Sequence, residues 1–363
     1  MTAEQEPARR LGGELPALID KRGAPRALPA NWLAFSNGRA ALAWLLDRRP
    51  IHSVALCAYT CPVLPPFFRR RGLEVGFYDV TAGATEIADL VHTLAPPRLL
   101  LLPAMFGNAP LVDPDRMAAL LGKDDIVVID GAQSAFAQEE FAPPPGGAVF
   151  SCLRKTTALA DGAILLVDGM TQAMSNVDRL PVARGAASAK AQARELWATE
   201  KSAVEKQALA LNAKSETSWP DTPHRITEQS LAQLKTLDRT WHTERRRNNR
   251  ATLLDRLPAG TLFWSPESGT PYCLPIFIGD PDATMTAMHK KRIFVTRLWP
   301  DSEHDAARHP AAAWIARHLI ALPVDQRCND ADIARIADLA NKFSAPAPAA
   351  PVQLKPLIGT KTS

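Results

Sequence analysis

Cysteine is scarce in this chain of 363 residues: five are present, with no Cys-x-x-Cys pair and no Cys and His spacing of the kind that holds zinc. A disulfide-stapled or zinc-ribbon scaffold is thereby excluded, and reduced thiols are expected. The eight histidines are scattered. His304 and His309 stand five apart, off the spacing that puts two ligands on one helix face, so no metal is assigned. Charge of one sign is lacking too. The 42 Lys and Arg against 38 Asp and Glu leave +4, too little for a surface built to bind nucleic acid. Long apolar runs are missing: the stretches 99–102 and 163–167 fall far short of the ~18 to 20 residues a membrane helix needs. The opening segment has Glu4, Glu6, Arg9 and Arg10 where a secretory signal needs an apolar run of about 7 to 15 residues. These absences lead to the expectation of a cytoplasmic protein with neither nucleic acid nor membrane as partner.

What is present is an ordinary globular composition, 46% hydrophobic and 22% charged, at a length of roughly two domains. From residue 37 to 167, helical patterns alternate with short β-rich runs, which predicts an α/β fold with a mostly parallel sheet flanked by helices. The predicted strands are 53–57, 74–79, 98–104, 125–130, 148–153 and 163–168, several apolar nearly throughout as strands buried on both faces are. Helices are predicted at 39–48, 62–71, 84–94 and 113–122, the last opened by the Asp113-Pro114-Asp115 cap. Residues 186–213 and 227–257 read as long connecting helices. A second α/β pattern follows, with strands at 262–265, 272–278 and 293–299 and helices at 283–292, 311–320 and 330–343, the last capped by Asn329. The expected division is a poorly ordered segment 1–25, a large domain 26–257, a small C-terminal α/β domain 258–343 and a Pro/Ala-rich disordered tail 344–363.

Four pieces of sequence could carry chemistry. The strand ending in Asp130 runs into Gly131-Ala-Gln133, placing a carboxylate at the carboxyl end of a parallel strand, where ligands sit in open α/β sheets. It could equally cap the next segment. Next, Phe150-Ser-Cys-Leu-Arg-Lys155 ends in a lysine. Between Arg22 and Ala189 the only lysines are Lys123 and Lys155, and a lysine inside the sheet region is costly unless paired or neutralised, a setting in which Schiff-base formers occur. Upstream, Phe35-Ser-Asn-Gly-Arg39 precedes an amphipathic helix whose first N–H groups suit a phosphate, or which Asn37 simply caps. Finally, Tyr59 follows a strand and offers an aromatic face at the same edge, or core packing.

In this order, the four pieces resemble the DegT/DnrJ/EryC1/StrS family of pyridoxal-phosphate (PLP) sugar aminotransferases, which have the aspartate-aminotransferase-like fold type I. The resemblance spans residues 31–343 and takes in Arg245-Arg-Arg-Asn-Asn249, Leu274-Pro-Ile276 and Ala321-Leu-Pro-Val-Asp325. It implies pyridoxal 5'-phosphate as cofactor, with Lys155 as its covalent anchor, Asp130 at the pyridinium nitrogen and Gln133 toward the ring hydroxyl. It further implies Asn37, Gly38 and Arg39 at the phosphate turn, Ser151 as the cofactor-site serine that precedes the lysine, and Tyr59 packed on the ring. The implied reaction moves an amino group from glutamate to a keto group of a nucleotide-linked sugar, in a homodimer. The chain departs from the family's pattern in places. Ser151 and Lys155 are four apart rather than five with no intervening histidine, the double glycine is Gly162-Ala163, and Trp219-Pro-Asp-Thr-Pro-His-Arg225 replaces the Gly-Tyr-Asn-Tyr-Arg segment. Only Arg225 matches there, which makes His224 and Arg225 the candidates for an anion contact, either to the cofactor phosphate or to the substrate's diphosphate. The alternatives are a PLP-dependent sugar dehydratase, whose relatives carry histidine in place of the lysine, and a non-catalytic regulatory or assembly protein of the same fold. Arg69-Arg70-Arg71 and Arg245-Arg246-Arg247 read as solvated helix faces.

Overall fold

Apolar runs such as Leu99 to Leu102 and Ile126 to Ile129 have no polar face to turn to water, so they form strands covered on both sides. The computed structural model describes residues 9–17, 20–301 and 305–362. After β1 (Leu11–Gly12) come β2 (Leu33–Phe35), α1 (Gly38–Leu46), β3 (Ser53–Cys57), α2 (Leu64–Arg70), β4 (Glu74–Tyr78), α3 (Ala84–Thr93) and β5 (Arg98–Pro103). The alternation continues through α4 (Pro114–Leu120), β6 (Ile126–Gly131), α5 (Ala137–Glu140), β7 (Ala148–Ser151) and β8 (Ala163–Val167). Seven of these strands make one sheet in the order β2-β8-β7-β6-β5-β3-β4. Only β8 runs antiparallel to its neighbours β2 and β7; the other pairings are parallel. Alternate residues of β6 feed opposite cores: Ile126 and Val128 pack with α1 and α2, whereas Ile129 packs with Phe136 and Leu234 on the other face.

A second group of helices leads out of the sheet: α6 (Gln172–Ser175), α7 (Arg184–Ala198), α8 (Glu205–Ser218), α9 (Glu228–Thr236) and α10 (Arg239–Arg256). Each long connecting helix expected from the sequence is therefore two. The first breaks around Glu200, which takes a left-handed φ of 55°, and folds α7 against α8 as a hairpin. The second breaks because Asp238 leaves the helical conformation to accept the Trp241 N–H at 3.0 Å and so caps α10. The smaller unit has β9 (Leu262–Trp264), β10 (Cys273–Phe277), α11 (Pro281–Lys290), β11 (Ile293–Phe294), α12 (Pro310–His318), β12 (Leu319–Pro323), α13 (Asp330–Phe343) and β13 (Ile358–Thr360). Four strands form an antiparallel sheet in the order β12-β10-β9-β13. Asn329 caps α13 as expected, in a reciprocal box with Asp332 at 2.9 and 3.0 Å. The strand expected at 293–299 is confined to β11.

Both chain ends differ from the sequence reading. The segment 344–363, expected as a disordered tail, supplies β13, whose Ile358, Gly359 and Thr360 pair with Trp264, Phe263 and Leu262, and it buries Leu354 completely. Proline content hid a strand only three residues long. Of the expected loose segment 1–25, residues 1–8, with Glu4 and Glu6, and residues 18–19 lie outside the described residues, as does His304. Residues 9–17 are built into the fold. Leu11 and Gly12 pair in parallel with Ile293 and Phe294, and the Arg10 guanidinium lies over the rings of Trp197 and Phe294 at 4.0 and 4.6 Å. Among the described residues no helix is long and apolar enough to cross a membrane.

Since Leu354 is the fully buried residue of the tail, Leu354→Ala is expected to lower unfolding free energy by roughly 2 to 4 kcal/mol in a urea titration. An unchanged midpoint would show that the tail contributes nothing to the packed core.

Candidate active site

The carboxyl ends of β2, β7, β6, β5 and β3 lie along one edge of the sheet, and they bring Asn37, Ser151, Asp130 and Tyr59 to that edge. Gly131 and Ser151 are register partners on adjacent strands, with Asp130 opposite Phe150. The chain leaves β7 through Cys152 into a single 3-10 turn, Leu153–Lys155, closed by the Lys155 N–H on the Cys152 carbonyl at 3.0 Å. Lys155 is thus delivered beside the end of the strand that neighbours Asp130. Among the described residues its Nζ has no hydrogen bond and no ion pair within 4.0 Å.

The backbone directly after Lys155 is clamped. The Thr156 carbonyl accepts from His242 Nε2 at 2.8 Å, from Arg246 Nη2 at 3.0 Å and from Gln326 Nε2 at 3.0 Å. Arg246 is 1% exposed, and it also donates to Gln326 Oε1 and to the Pro271 and Tyr272 carbonyls. This corrects the reading of Arg245-Arg246-Arg247 as a solvated face: Arg246 is core, and Arg245 donates to the Cys328 carbonyl at 2.5 Å. Asn249, one turn on, donates to the Asp325 carbonyl at 2.9 Å. The Arg-Arg-Arg-Asn-Asn run and the Leu-Pro-Val-Asp325 run are therefore one structure, a link that neither run discloses alone.

Two hollows of about 230 and 360 Å³ meet at Lys155, and Gly13, Glu14, Leu15 and Tyr272 line both. Gln133, Trp299, Arg154, Lys190, Arg194 and Glu216 complete the smaller one. Of these walls the sequence reading had only Lys155 and Gln133. Tyr272, the α7–α8 hairpin and the N-terminal segment carry no motif, so they came to light only through tertiary contacts. A further hollow of about 380 Å³ near 257–262 and 344–347 is lined by no ionisable side chain and offers no chemistry.

The electrostatics of the pair Asp130 and Lys155 follow from burial. Burial pushes the Asp130 carboxyl above the ordinary range, against the pull of Lys155 and of the Ala132 N–H, which donates to Oδ1 at 2.9 Å. For Lys155, burial works to lower the amine, but the Cys61 and Cys152 sulfurs and the Asp130 carboxylate together carry it above its usual value. Ser151 is fully buried, and its Oγ has no hydrogen-bond partner. An orphaned hydroxyl of that kind is costly unless a ligand group meets it.

The remaining predicted residues are more committed. Asn37 caps α1, its Oδ1 accepting the Ala40 N–H at 3.1 Å. Gly38 admits the Phe150 ring, which would stand 2.8 Å from a Cβ at that position. Arg39 donates to Asp221 at 2.7 Å, and Gln133 Oε1 accepts the Phe106 N–H at 2.7 Å. Tyr59 is fully buried, its hydroxyl on the Leu298 carbonyl at 2.7 Å and its ring 5.2 Å from that of Trp299; it lines neither hollow at Lys155. The 219–225 segment runs beside β2: Arg225 bridges Phe35 and Val182, and the His224 carbonyl accepts the Ser36 N–H at 2.9 Å. Arg225 Nη2 donates to the exposed Glu228 at 2.6 Å, and His224 Nδ1 lies 3.0 Å from the Thr222 carbonyl.

A seven-stranded sheet with one antiparallel strand second from the edge, a lysine after its neighbour and a separate small domain define the fold type I architecture of PLP enzymes. No protein-family model matches the chain, and no curated protein matches it. Solved structures do. The sugar aminotransferase CalS13 from Micromonospora echinospora is 15% identical, covering 86% of this chain and 87% of that one at a TM-score of 0.58. DesI in the presence of its TDP-sugar product is 17% identical, covering 86% and 80% at 0.57. A DegT DnrJ EryC1 StrS aminotransferase from Brucella abortus is 15% identical, covering 86% of each chain at 0.56. At such identities the likeness is one of fold, and this chain has that fold.

His242 supplies a test of the clamp. Burial, with Arg246 beside it, lowers its imidazole to about 3 from an ordinary 6.5, so the folded form holds it neutral with the Nε2 proton on Thr156. Below the ordinary value the unfolded chain takes up a proton that the folded chain refuses, so this contribution is present in full above pH ~6.5 and is lost as the pH falls toward ~3. Between neutral pH and about pH 5 the wild type should lose about 2 kcal/mol more stability than His242→Gln, read by urea unfolding at both pH values. Equal losses would mean that His242 is not held neutral by the fold.

Proposed function

We propose that this chain is a PLP-dependent aminotransferase of the DegT/DnrJ/EryC1/StrS family that aminates a keto group of a nucleotide-linked sugar, with glutamate as donor. One observation carries the reading: an amine without a protein partner, at a sheet edge shared with a half-buried carboxylate and an orphaned serine hydroxyl. Lysine at 155, rather than histidine, favours transamination over the dehydratase alternative.

The residues fit the cofactor. A pyridinium N–H calls for a carboxylate with an oxygen to spare, and the half-buried Asp130 accepts the Ala132 N–H at Oδ1 alone among the described residues. A phosphate calls for donors: Ser151 Oγ has no acceptor, and the Gly38 and Arg39 N–H groups at the start of α1 have none among the described residues. When bound, pyridoxal phosphate supplies an electron sink that makes the C–H next to the transferred nitrogen acidic. Asp130 would hold the ring nitrogen's proton, and the cation at Lys155 and the Ala132 N–H oppose its own protonation. Gln133, with Oε1 fixed by the Phe106 N–H, would present its amide nitrogen toward the ring oxygen. Lys155 Nζ would take up the proton from the carbon that bears the transferred nitrogen, or return one to it, held in reach by the clamp on Thr156. Asn37 would shape the phosphate turn as the cap of α1, and Arg39 would flank it. Tyr59 would bound the ring's space through Trp299. His224 and Arg225 would meet a substrate phosphate. The Arg225 pair with the exposed Glu228 is of the weak surface kind, open to exchange.

The sugar part of the reading is supported by the names of the fold's relatives, CalS13 as a sugar aminotransferase and DesI with its TDP-sugar product. A cytoplasmic homodimer, acting on small molecules without nucleic acid, completes the proposal; closed twofold pairs are the commonest oligomers.

Incubation with pyridoxal phosphate followed by borohydride and peptide mapping should put the label on Lys155, and Lys155→Ala should take none. Asp130→Ala should stay folded by far-UV circular dichroism yet slow the half-reaction with glutamate by about 10²-fold or more. A label on Lys123, or no label, overturns the proposal. Sedimentation should give a dimer.

A further inference from the structure

Four cations, Arg154, Lys155, Lys190 and Arg194, line the smaller hollow against two carboxylates, Glu14 and Glu216. The two acids are held differently. Glu216, on α8, is a fixed counter-ion: Arg154 grips both its oxygens at 2.6 and 3.0 Å and Lys190 reaches Oε1 at 3.1 Å. Against burial, these cations hold Glu216 down to about 2. Glu14 instead arrives on the N-terminal segment, end-on, with Oε2 2.8 Å from Lys190 Nζ and Oε1 accepting from Asn212 Nδ2 at 3.1 Å. Lys190 also donates to Asn212 Oδ1 at 2.5 Å, which orients that amide so that its nitrogen faces Glu14.

The backbone of this strap is anchored independently of the carboxylate. Arg10 donates to the Glu14 carbonyl at 2.8 Å and Arg327 to the Gly12 carbonyl at 3.0 Å. Gly12 and Gly13 both take left-handed φ values, and a Cβ on Gly12 would stand 2.5 Å from the Phe294 carbonyl oxygen, so the strap turns into the site only with glycine there. Its side chain is 32% exposed, open to the hollow, whereas Lys190 is 3%. A rotation of Glu14 away leaves the segment in place and uncovers an ammonium and an amide shaped to a carboxylate.

We propose that Lys190 and Asn212 form a carboxylate subsite beside Lys155, that the side chain of Glu14 is its resting occupant, and that a free dicarboxylate of the amino-donor class displaces it. The assignment to the donor rests on the aminotransferase reading; the subsite does not. Glu14 presents a carboxylate on two methylenes, which is the side-chain end of glutamate itself. Exchange of one carboxylate for another keeps the charge balance around the buried Lys190, whereas a neutral ligand would leave it only Glu216, a carboxylate it shares with Arg154.

Succinate, a dicarboxylate with no amine to transfer, is the probe, added to the purified full chain in a calorimetric titration. Glu14→Gln is expected to bind succinate about tenfold more tightly than the wild type or better, and Lys190→Gln in that background to lose about tenfold or more. Glu14→Asp, which keeps the charge but draws it back from Lys190, should gain in the same direction and guards against a misfolded glutamine variant. Equal affinity in wild type and both Glu14 variants, indifference to Lys190→Gln, or inorganic phosphate competing as well as succinate would each overturn the subsite. Borohydride labelling separates the two readings. Succinate binding with no label at Lys155 removes the donor assignment and keeps the subsite, and a label without succinate binding removes the subsite alone.

Discussion

The carbonyl of Thr156 is the constraint on which the site depends. A carbonyl oxygen has two lone pairs, and here three donors converge on it, one of them the guanidinium of the buried Arg246. Charge-assisted bonds are the stronger kind, and a buried Arg246 has no alternative partner in solvent. The donors come from α10 and from the segment after β12, whereas the acceptor is the residue following Lys155. The junction between the large sheet and the small unit is therefore the same structure that fixes the amine. Asp325, paired with Arg327 at 2.7 and 2.9 Å, keeps the charge of this junction balanced from the other side.

Burial of so many charges is costly unless each is matched. Arg194 illustrates how: it is 2% exposed, and it spends its guanidinium on the backbone carbonyls of Thr157 and Arg154, which flank Lys155. Asp20 accepts from Gln326 at 2.6 Å and from the Ala158 N–H at 2.7 Å, so it fastens the same turn from beneath. The turn carrying Lys155 is thus held at residues 154, 156, 157 and 158, while the lysine side chain itself is left without a partner. A rigid backbone under an uncommitted amine is what covalent chemistry at that amine requires.

The sheet was legible because its signals are local. Apolar runs and Asp113 or Asn329 at helix starts are written in neighbouring residues, and β3 came out at its predicted bounds. The positions of Asp130, Ser151 and Lys155 were legible for a related reason: the first two lie at strand ends and the third closes the turn that follows β7, so knowing the strand places the residue. The walls of the site were not. Glu14 and Lys190 are 176 positions apart, and Lys190 reads as one lysine in an Ala- and Lys-rich helix. Arg246 lies between two other arginines, so charge patterning makes it a surface residue, and only the packing of α10 under Thr156 buries it. Tyr59 shows the reverse case, an aromatic whose position in a strand-end motif suggests exposure to a ligand while its neighbours Phe106 and Trp299 enclose it.

Chemistry and recognition are consequently built from different parts of the chain. The sheet edge supplies a lysine, a carboxylate and a serine, a set that by itself does not distinguish one anionic substrate from another. Discrimination among anions needs cations whose positions are fixed before the ligand arrives. Those come from α7: Lys190, set in place by Asn212 and Glu216 of α8, and Arg194, held by the Thr157 and Arg154 carbonyls. These helices carry none of the motifs on which the resemblance rests. The helices outside the motifs are thus the ones that line the hollow beside Lys155, and on the proposed reading the choice among anions is made there rather than at the strand ends that reveal the fold.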